Sequence, residues 1–357
     1  MRRVLVLGAT GAIGAHAVRA CLASGWMVRA LVRPSSRLED LAGLDVETVQ
    51  GDVRSRESLE PAFDGCAAFV HAAGFYPTNS FRARAAPRDG LETVRPVFAA
   101  ALAAGGVRGV YVSSASTLSP AERAGHVGGA SGIAGEASGI VGQASGIAGE
   151  PPGGAYFAAK RAMERAALEA VDRGLPLVLV HPTLCIGEYD RKPTSGRIVL
   201  QAASGRLPFV ISACLNVVYT GDVGLGILRA LEAGEPGARH VLAGENTSFR
   251  WLVRQSAFEA GAREPRMPLP LRAARIGARV ADAASLALRR PALATTGIEL
   301  LARSTHMGGA ATEEALERDA ARAALGVEEP VPAVESVRRA VRWFRRVGML
   351  AHPAGAR

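Results

Sequence analysis

An α/β fold, built on a doubly wound parallel sheet with a smaller, mostly helical region after it, is predicted by three observations. Short apolar runs alternate with helix-like stretches through the first half of the chain, a glycine-rich turn follows the first apolar run, and the alternation becomes irregular after residue 181. Strands and helices alternating at this spacing imply a parallel sheet covered by helices on both faces. The 357 residues are enough for one large domain and a smaller one. The expected division is 1–181 for the sheet domain and 182–357 for a substrate-side region, with 216–243 returning to the main sheet.

Taken in order, the strand candidates are Arg3–Leu7, Met27–Val32, Val46–Gln50, Ala67–His71, Gly109–Ser113 and Leu177–His181. Helical patterns lie between them at Ile13–Ser24, Arg56–Phe63, Leu91–Ala104 and Tyr156–Arg173. Beyond Pro182 the reading is a short strand at Asn216–Tyr219, a helix capped by Asp222, a strand at His240–Ala243 and several Arg/Ala-rich helices. Residues 130–150 stand apart as three consecutive seven-residue units of the type Ala-Ser-Gly-Ile-Ala-Gly-Glu. Glycine costs a helix about 1 kcal/mol per residue, so the heptad period reads as a flexible duplicated loop and not as a coiled coil.

Composition narrows the function classes. The chain is 48% apolar and 21% charged, and no apolar run approaches the ~18 residues of a membrane span. The apolar stretch at the N-terminus is cut short by Gly8, which suits a buried strand better than a secretory signal. Cys21, Cys66, Cys185 and Cys214 are scattered without metal-type spacing and read as buried free thiols in a reducing, cytoplasmic setting. The net charge of +9 comes from arginines dispersed among alanines, as at Arg272, Arg275 and Arg279, with only 5% aromatic residues. That pattern describes solvated helix faces and argues against a nucleic-acid partner. No metal site is expected, and a homodimer is the assembly left open.

Three motifs carry chemistry. The first is Gly8-Ala9-Thr10-Gly11-Ala12-Ile13-Gly14, directly after a strand and opening a helix. Glycines there allow the backbone to approach a pyrophosphate held at the helix N-terminus, the mark of a Rossmann-type dinucleotide site. The second lies at the end of the second strand, where a carboxylate would bind the ribose 2′-hydroxyl of NAD. Here the sequence reads Leu31-Val32-Arg33-Pro34-Ser35-Ser36-Arg37, and the two guanidinium groups suit a 2′-phosphate. The expected cofactor is therefore NADP before NAD, with Asp52 and Val53 facing the adenine. The third motif is Tyr156-Phe157-Ala158-Ala159-Lys160. A spacing of four puts both side chains on one helical face, where the ammonium stabilises the phenolate and lets the tyrosine exchange a proton. A serine at the strand end Tyr111-Val112-Ser113-Ser114 can hold the substrate oxygen, and Ser113 and Ser114 compete for that role.

These motifs together resemble the extended short-chain dehydrogenase/reductases. The matches are GATGAIG from Gly8, VYVSSAST from Val110, YFAAK from Tyr156 and HPTLCIG from His181. The runs from Arg191 and Asn216 and the stretch VRRAVRWFRRVGML are similar to the dihydroflavonol-reductase-like branch, which includes hopanoid-associated sugar epimerases. The resemblance implies Ser114 as the catalytic serine, with Tyr156 and Lys160. It also implies Ala72 and Ala73 beside the cofactor and the Pro182-Thr183-Leu184 backbone against the nicotinamide. One departure is Asp89-Gly90-Leu91-Glu92-Thr93-Val94, where the family commonly carries an Asn-x-x-Gly-Thr pattern. His71 and His181 read as strand-end residues. The expected activity is NADP-dependent reduction of a carbonyl on a small organic substrate. The rivals are a nucleotide-sugar epimerase or dehydratase that retains its cofactor, and a non-catalytic NADP-sensing regulator.

Overall fold

The structure, a computed structural model, describes residues 2–77, 80–81, 84–118, 154–288, 290, 294–303 and 330–351. The repeat at 130–150 lies outside the described residues.

The first half builds β1 (Arg3–Leu7), α1 (Ala12–Ala23), β2 (Met27–Val32), β3 (Val46–Gln50), α2 (Arg56–Phe63), β4 (Ala68–His71), α3 (Ala86–Leu91), α4 (Arg95–Ala103), β5 (Arg108–Val112), α5 (Gly154–Asp172) and β6 (Leu177–Pro182). It is followed by β7 (Leu184–Ile186), α6 (Gly196–Ala203), β8 (Phe209–Val210), β9 (Cys214–Tyr219), α7 (Thr220–Ala233), β10 (Arg239–Leu242), β11 (Glu245–Ser248), α8 (Phe249–Ala260), β12 (Met267–Pro268), α9 (Leu271–Ala287), α10 (Ala294–Arg303) and α11 (Ala333–Arg346).

Seven parallel strands run in the order β10-β6-β5-β4-β1-β2-β3. Strand alternation sorts the core. On β1, Val4 and Val6 face α1 and α7, packing with Val18, Val223 and Ile227. Leu5 and Leu7 face the other layer, with Leu59 of α2, Phe98 of α4 and Met163 of α5. Each such side chain contributes about 1.5–3 kcal/mol by burial, which holds the three layers in register. The strand order reverses between β1 and β4, where folds of this kind bind ligands beyond the strand ends.

Several expectations need correction. The helix read over Leu91–Ala104 starts later, as α4 at Arg95, with Pro96 in its first turn where its missing N–H costs nothing, and a separate short helix, α3, ends at Leu91. Thr93 closes the gap by donating its hydroxyl to the Gly90 carbonyl at 2.7 Å. Asn216–Tyr219 does not join the main sheet: β9 lies between β11 and β7 in a separate three-stranded sheet. Of the 216–243 stretch, β10 completes the main sheet beside β6, and α7 covers it. Asp222 is not the cap of α7; it stands in the first turn and its carboxylate accepts the Val331 backbone N–H at 3.0 Å. Cys214 is exposed at the start of β9, unlike the buried Cys21 and Cys66.

The C-terminal segments share a second core, in which Val199 of α6, Leu252 of α8 and Val337, Val341 and Phe344 of α11 interlock. The apolar residues of α11 recur at helical spacing, so one face seals this core and the other carries arginines.

Where this core meets the sheet domain, α1 buries His16 between Tyr189 and Tyr219, with ring centroids 4.9 and 5.5 Å away. Burial, then the charges of Arg19 and Arg339, push the imidazole from its usual 6.5 down to about 3, although Glu188 lies 3.6 Å from it. His16 is therefore neutral near pH 7. The unfolded chain takes up that proton more readily, so stability is complete above about 6.5 and is lost as the pH falls from there toward about 3. His71, pushed down to about 4 by burial, acts in the same direction. His16→Gln is expected to flatten the decline in urea-unfolding free energy between about pH 6.5 and 4. An unchanged slope would remove His16 as its source.

Candidate active site

The glycine turn sits at the point where strand order reverses, and its three glycines do different work. Gly8 has φ +87, and a methyl there would meet the Ala73 nitrogen at 2.6 Å and the Ala72 carbonyl carbon at 2.7 Å. Gly14 lies against Gly8 itself, with the Gly8 oxygen 2.0 Å from a would-be methyl. These two pack the turn between β1, β4 and α1. Gly11 is different: its nearest neighbour is the Gly8 oxygen at 3.4 Å, so its outer side stays open. Gly11 also caps α1 without a side-chain hydrogen bond, and no acidic residue stands in the first turn. The N–H groups that open α1, near Thr10, Ala12 and Ile13, thus face an uncrowded, positively polarised opening. That arrangement fits the pyrophosphate of a dinucleotide.

A cleft beyond β2 and β3 is lined by Arg33, Pro34, Ser35, Gly51, Asp52 and Ser55. Arg33 and Arg37 are both exposed, and Arg37 does not line the cleft. Asp52 turns its carboxylate to the Arg54 N–H at 2.9 Å, while Ser55 caps α2. Val53 is partly buried against the core on the α2 side.

At the ends of β5 and β6 and on α5, the candidate catalytic groups come together. The Tyr156 hydroxyl donates to Ser114 Oγ at 3.4 Å, a long contact of the kind that tightens when substrate enters. Ser114 Oγ also accepts from the Ser116 N–H at 3.2 Å and the Ser116 hydroxyl at 2.9 Å. Ser113, the competing serine, points elsewhere: it is 3% exposed and donates to Glu164 Oε2 at 2.6 Å. Lys160 is one turn beyond Tyr156 and buried, and a methyl on Gly74 would stand 4.0 Å from its Nζ. That places the ammonium beside the loop following β4, near Ala72 and Ala73.

Pro182 ends β6, and Thr183 donates its hydroxyl to Asn216 Oδ1 at 2.8 Å, tying the strand end to β9. Leu184 continues into β7. Both histidines are internal. His71 Nε2 lies 3.0 Å from the Thr93 carbonyl, and His181 Nε2 lies 3.0 Å from Glu164 Oε1. Among the described residues, no cluster of three histidine, cysteine or acidic side chains is arranged to hold a metal.

Two features escape a reading of the sequence. Tyr76, from the loop after β4, lays its ring 5.0 Å from that of Tyr156, and Phe157 lies edge-on at 5.7 Å. Nothing in the loop sequence announces this. Glu164 is the second feature: buried, it receives Ser113, His181 and, at 2.6 Å, Arg239 from β10. Burial alone would raise its carboxyl, but His181, Arg239 and Ser113 outweigh that and hold it well below the usual carboxylate range. Its spacing of four from Lys160 was a usable signal, since it continues the Tyr156–Lys160 face.

A family model described as NAD(P)H-binding matches residues 8–205. A protein from Synechocystis named putative dihydroflavonol 4-reductase is 29% identical, covering 96% of this chain and 94% of its own. Sterol demethylase protein B of Methylococcus capsulatus is 29% identical over 75% of this chain and 77% of its own. Among solved structures, a nucleoside-diphosphate-sugar epimerase from Pseudomonas aeruginosa superposes with a TM-score of 0.75 at 27% identity, covering 98% of this chain and 99% of that one.

Proposed function

This chain belongs to the NAD(P)H-binding family and is an enzyme of the extended short-chain dehydrogenase/reductases, and from that premise we propose that it uses NADP to reduce the ketone or aldehyde of a small, largely apolar organic molecule. The observation that carries this reading is the setting of the Tyr156 hydroxyl: within 3.4 Å of Ser114 and walled by the rings of Tyr76 and Phe157. Aromatic walls favour an apolar or aromatic carbonyl compound over a hydroxyl-rich sugar, which needs many hydrogen-bond partners. The Synechocystis relative, by its name a reductase, agrees with that direction.

A bound nicotinamide dinucleotide supplies the hydride. Tyr156 gives its hydroxyl proton to the carbonyl oxygen, Ser114 donates a hydrogen bond to the same oxygen, and the Lys160 ammonium stabilises the phenolate left behind. The open N-terminus of α1 holds the pyrophosphate, with Ala72, Ala73 and the Pro182-Thr183-Leu184 segment bordering the nicotinamide end. Arg33 pairs with the 2′-phosphate at the rim of the cleft, and Arg37 assists from outside it. The second reading, epimerisation of a nucleotide sugar, is favoured by the likeness to the Pseudomonas structure.

A panel of ketones and aldehydes, scored by NADPH oxidation, separates the two. Stoichiometric consumption of NADPH with an apolar carbonyl compound is the expected result; cofactor that stays bound while a nucleotide sugar is inverted overturns it. Arg33→Ala is expected to weaken NADP binding by about tenfold to a hundredfold, the scale of one charged hydrogen-bonded contact, and to leave NAD unaffected. Equal losses for both cofactors in a calorimetric titration would remove Arg33 from that role.

A further inference from the structure

We propose that the outward face of α9 docks the protein on an anionic lipid bilayer. The helix buries only a narrow stripe, Ala274, Ala278 and Asp282. The Asp282 carboxylate accepts the backbone N–H groups of Ala294 and Thr295 at 2.7 and 2.9 Å, fastening the start of α10. At 100° per residue, the side directly opposite this stripe is formed by Ala273, Ile276, Val280, Ala283 and Ala287, all exposed. Ile276 is 66% exposed and Val280 63%, and Leu288, just past the helix end, is 65% exposed.

A solvated helix places polar side chains opposite its buried stripe; α9 reverses that order. Arginines occupy one flank only. Arg272 and Arg279 are exposed beside the apolar face, and Arg275 turns inward to Glu299 of α10 at 2.9 Å. The sole acidic residue of α9, Asp282, is buried beneath. An apolar face, a cationic flank and no exposed carboxylate are the features of a helix that lies in a membrane interface. Charge complementarity selects the occupant. A second copy of this face would bring Arg272 and Arg279 against an interface to which α9 contributes no exposed acid, whereas anionic headgroups neutralise both. No helix among the described residues is long and apolar enough to cross a membrane, so the contact is with the surface.

The test is flotation of the full chain with vesicles of phosphatidylglycerol and phosphatidylcholine, and with phosphatidylcholine alone. Binding to the anionic vesicles, weakened by high salt, is expected. Each arginine at such a surface is worth about fivefold in binding, so Arg272→Glu with Arg279→Glu is expected to lower partitioning by more than tenfold. Ile276→Glu with Val280→Glu is expected to abolish it. All four positions are exposed, and unchanged melting curves will verify that the variants fold. Failure of the wild-type protein to bind anionic vesicles overturns the proposal, as does equal binding by the variants. A wild-type dimer that Ile276→Glu splits, without vesicle binding, overturns it in favour of a second copy of the chain.

Discussion

Replacing Tyr156 with Phe is expected to lower turnover by about a hundredfold to ten-thousandfold while dinucleotide binding survives. The substitution keeps the ring against Tyr76 and Phe157 and removes only the hydroxyl that reaches Ser114. The proton must then come from water, held in no fixed geometry. Ser114→Ala, which removes one preorganised donor, is expected to cost about a hundredfold or more. Lys160→Met is expected to weaken cofactor binding as well, because the buried ammonium sits beside the Gly74 backbone, where the proposed function has it meet the dinucleotide. Affinity and turnover measured on all three variants form the check. Near-normal turnover in Tyr156→Phe would assign the proton to another group.

The second large effect is on stability. Glu164→Ala is expected to destabilise the fold by about 3–5 kcal/mol at neutral pH, because one buried acceptor serves three donors from three different strands or strand ends. Loss of the carboxylate leaves His181 and Ser113 buried without this partner, and removes the group that Arg239 reaches. Glu164→Gln retains an acceptor oxygen and is expected to recover part of the loss. The sign with pH follows from the lowered carboxyl. A depressed folded-state value means that the ionised form stabilises the fold above the unfolded value of about 4.3 and that this stabilisation fades as the pH falls below it. Urea unfolding of wild type and Glu164→Ala should therefore give a gap that is constant at neutral pH and narrows in acid. A gap below about 1 kcal/mol at pH 7 would show that the network is dispensable.

The network has a consequence for the site. Glu164 lies on α5, the helix of Tyr156 and Lys160, and grips Ser113, the residue before Ser114. Ser114 and Tyr156 are thereby carried on elements tied together by one buried charge.

Local signals in the chain were enough for the sheet domain. Three of the strands, Arg3–Leu7, Met27–Val32 and Val46–Gln50, coincide with their sequence-predicted bounds. The first two are largely buried and are written as short apolar runs between turn residues, whereas the third, at the sheet edge, is mostly exposed and keeps only Val46 and Val49 as apolar residues. The glycine turn and the Tyr156–Lys160 spacing were equally legible, since each depends on a backbone geometry spanning only a few residues. Recognition of the extended short-chain dehydrogenase/reductases followed from those same motifs, and the NAD(P)H-binding family match agrees with it.

What only the tertiary structure decided is where neighbouring side chains point and which partners far away in sequence they meet. Ser113 and Ser114 are alike in the chain; the alternation of an extended backbone sends one to buried Glu164 and the other to Tyr156. The aromatic wall of Tyr76 arises because the loop after β4 folds over α5, a contact across 80 residues of chain that no local pattern encodes. The same holds for Arg239 meeting Glu164, 75 residues apart, and for β9 leaving the main sheet to pair with β7 and β11. Local propensity is set by nearest neighbours along the chain, whereas strand partners and side-chain contacts are set by which surfaces can be buried together.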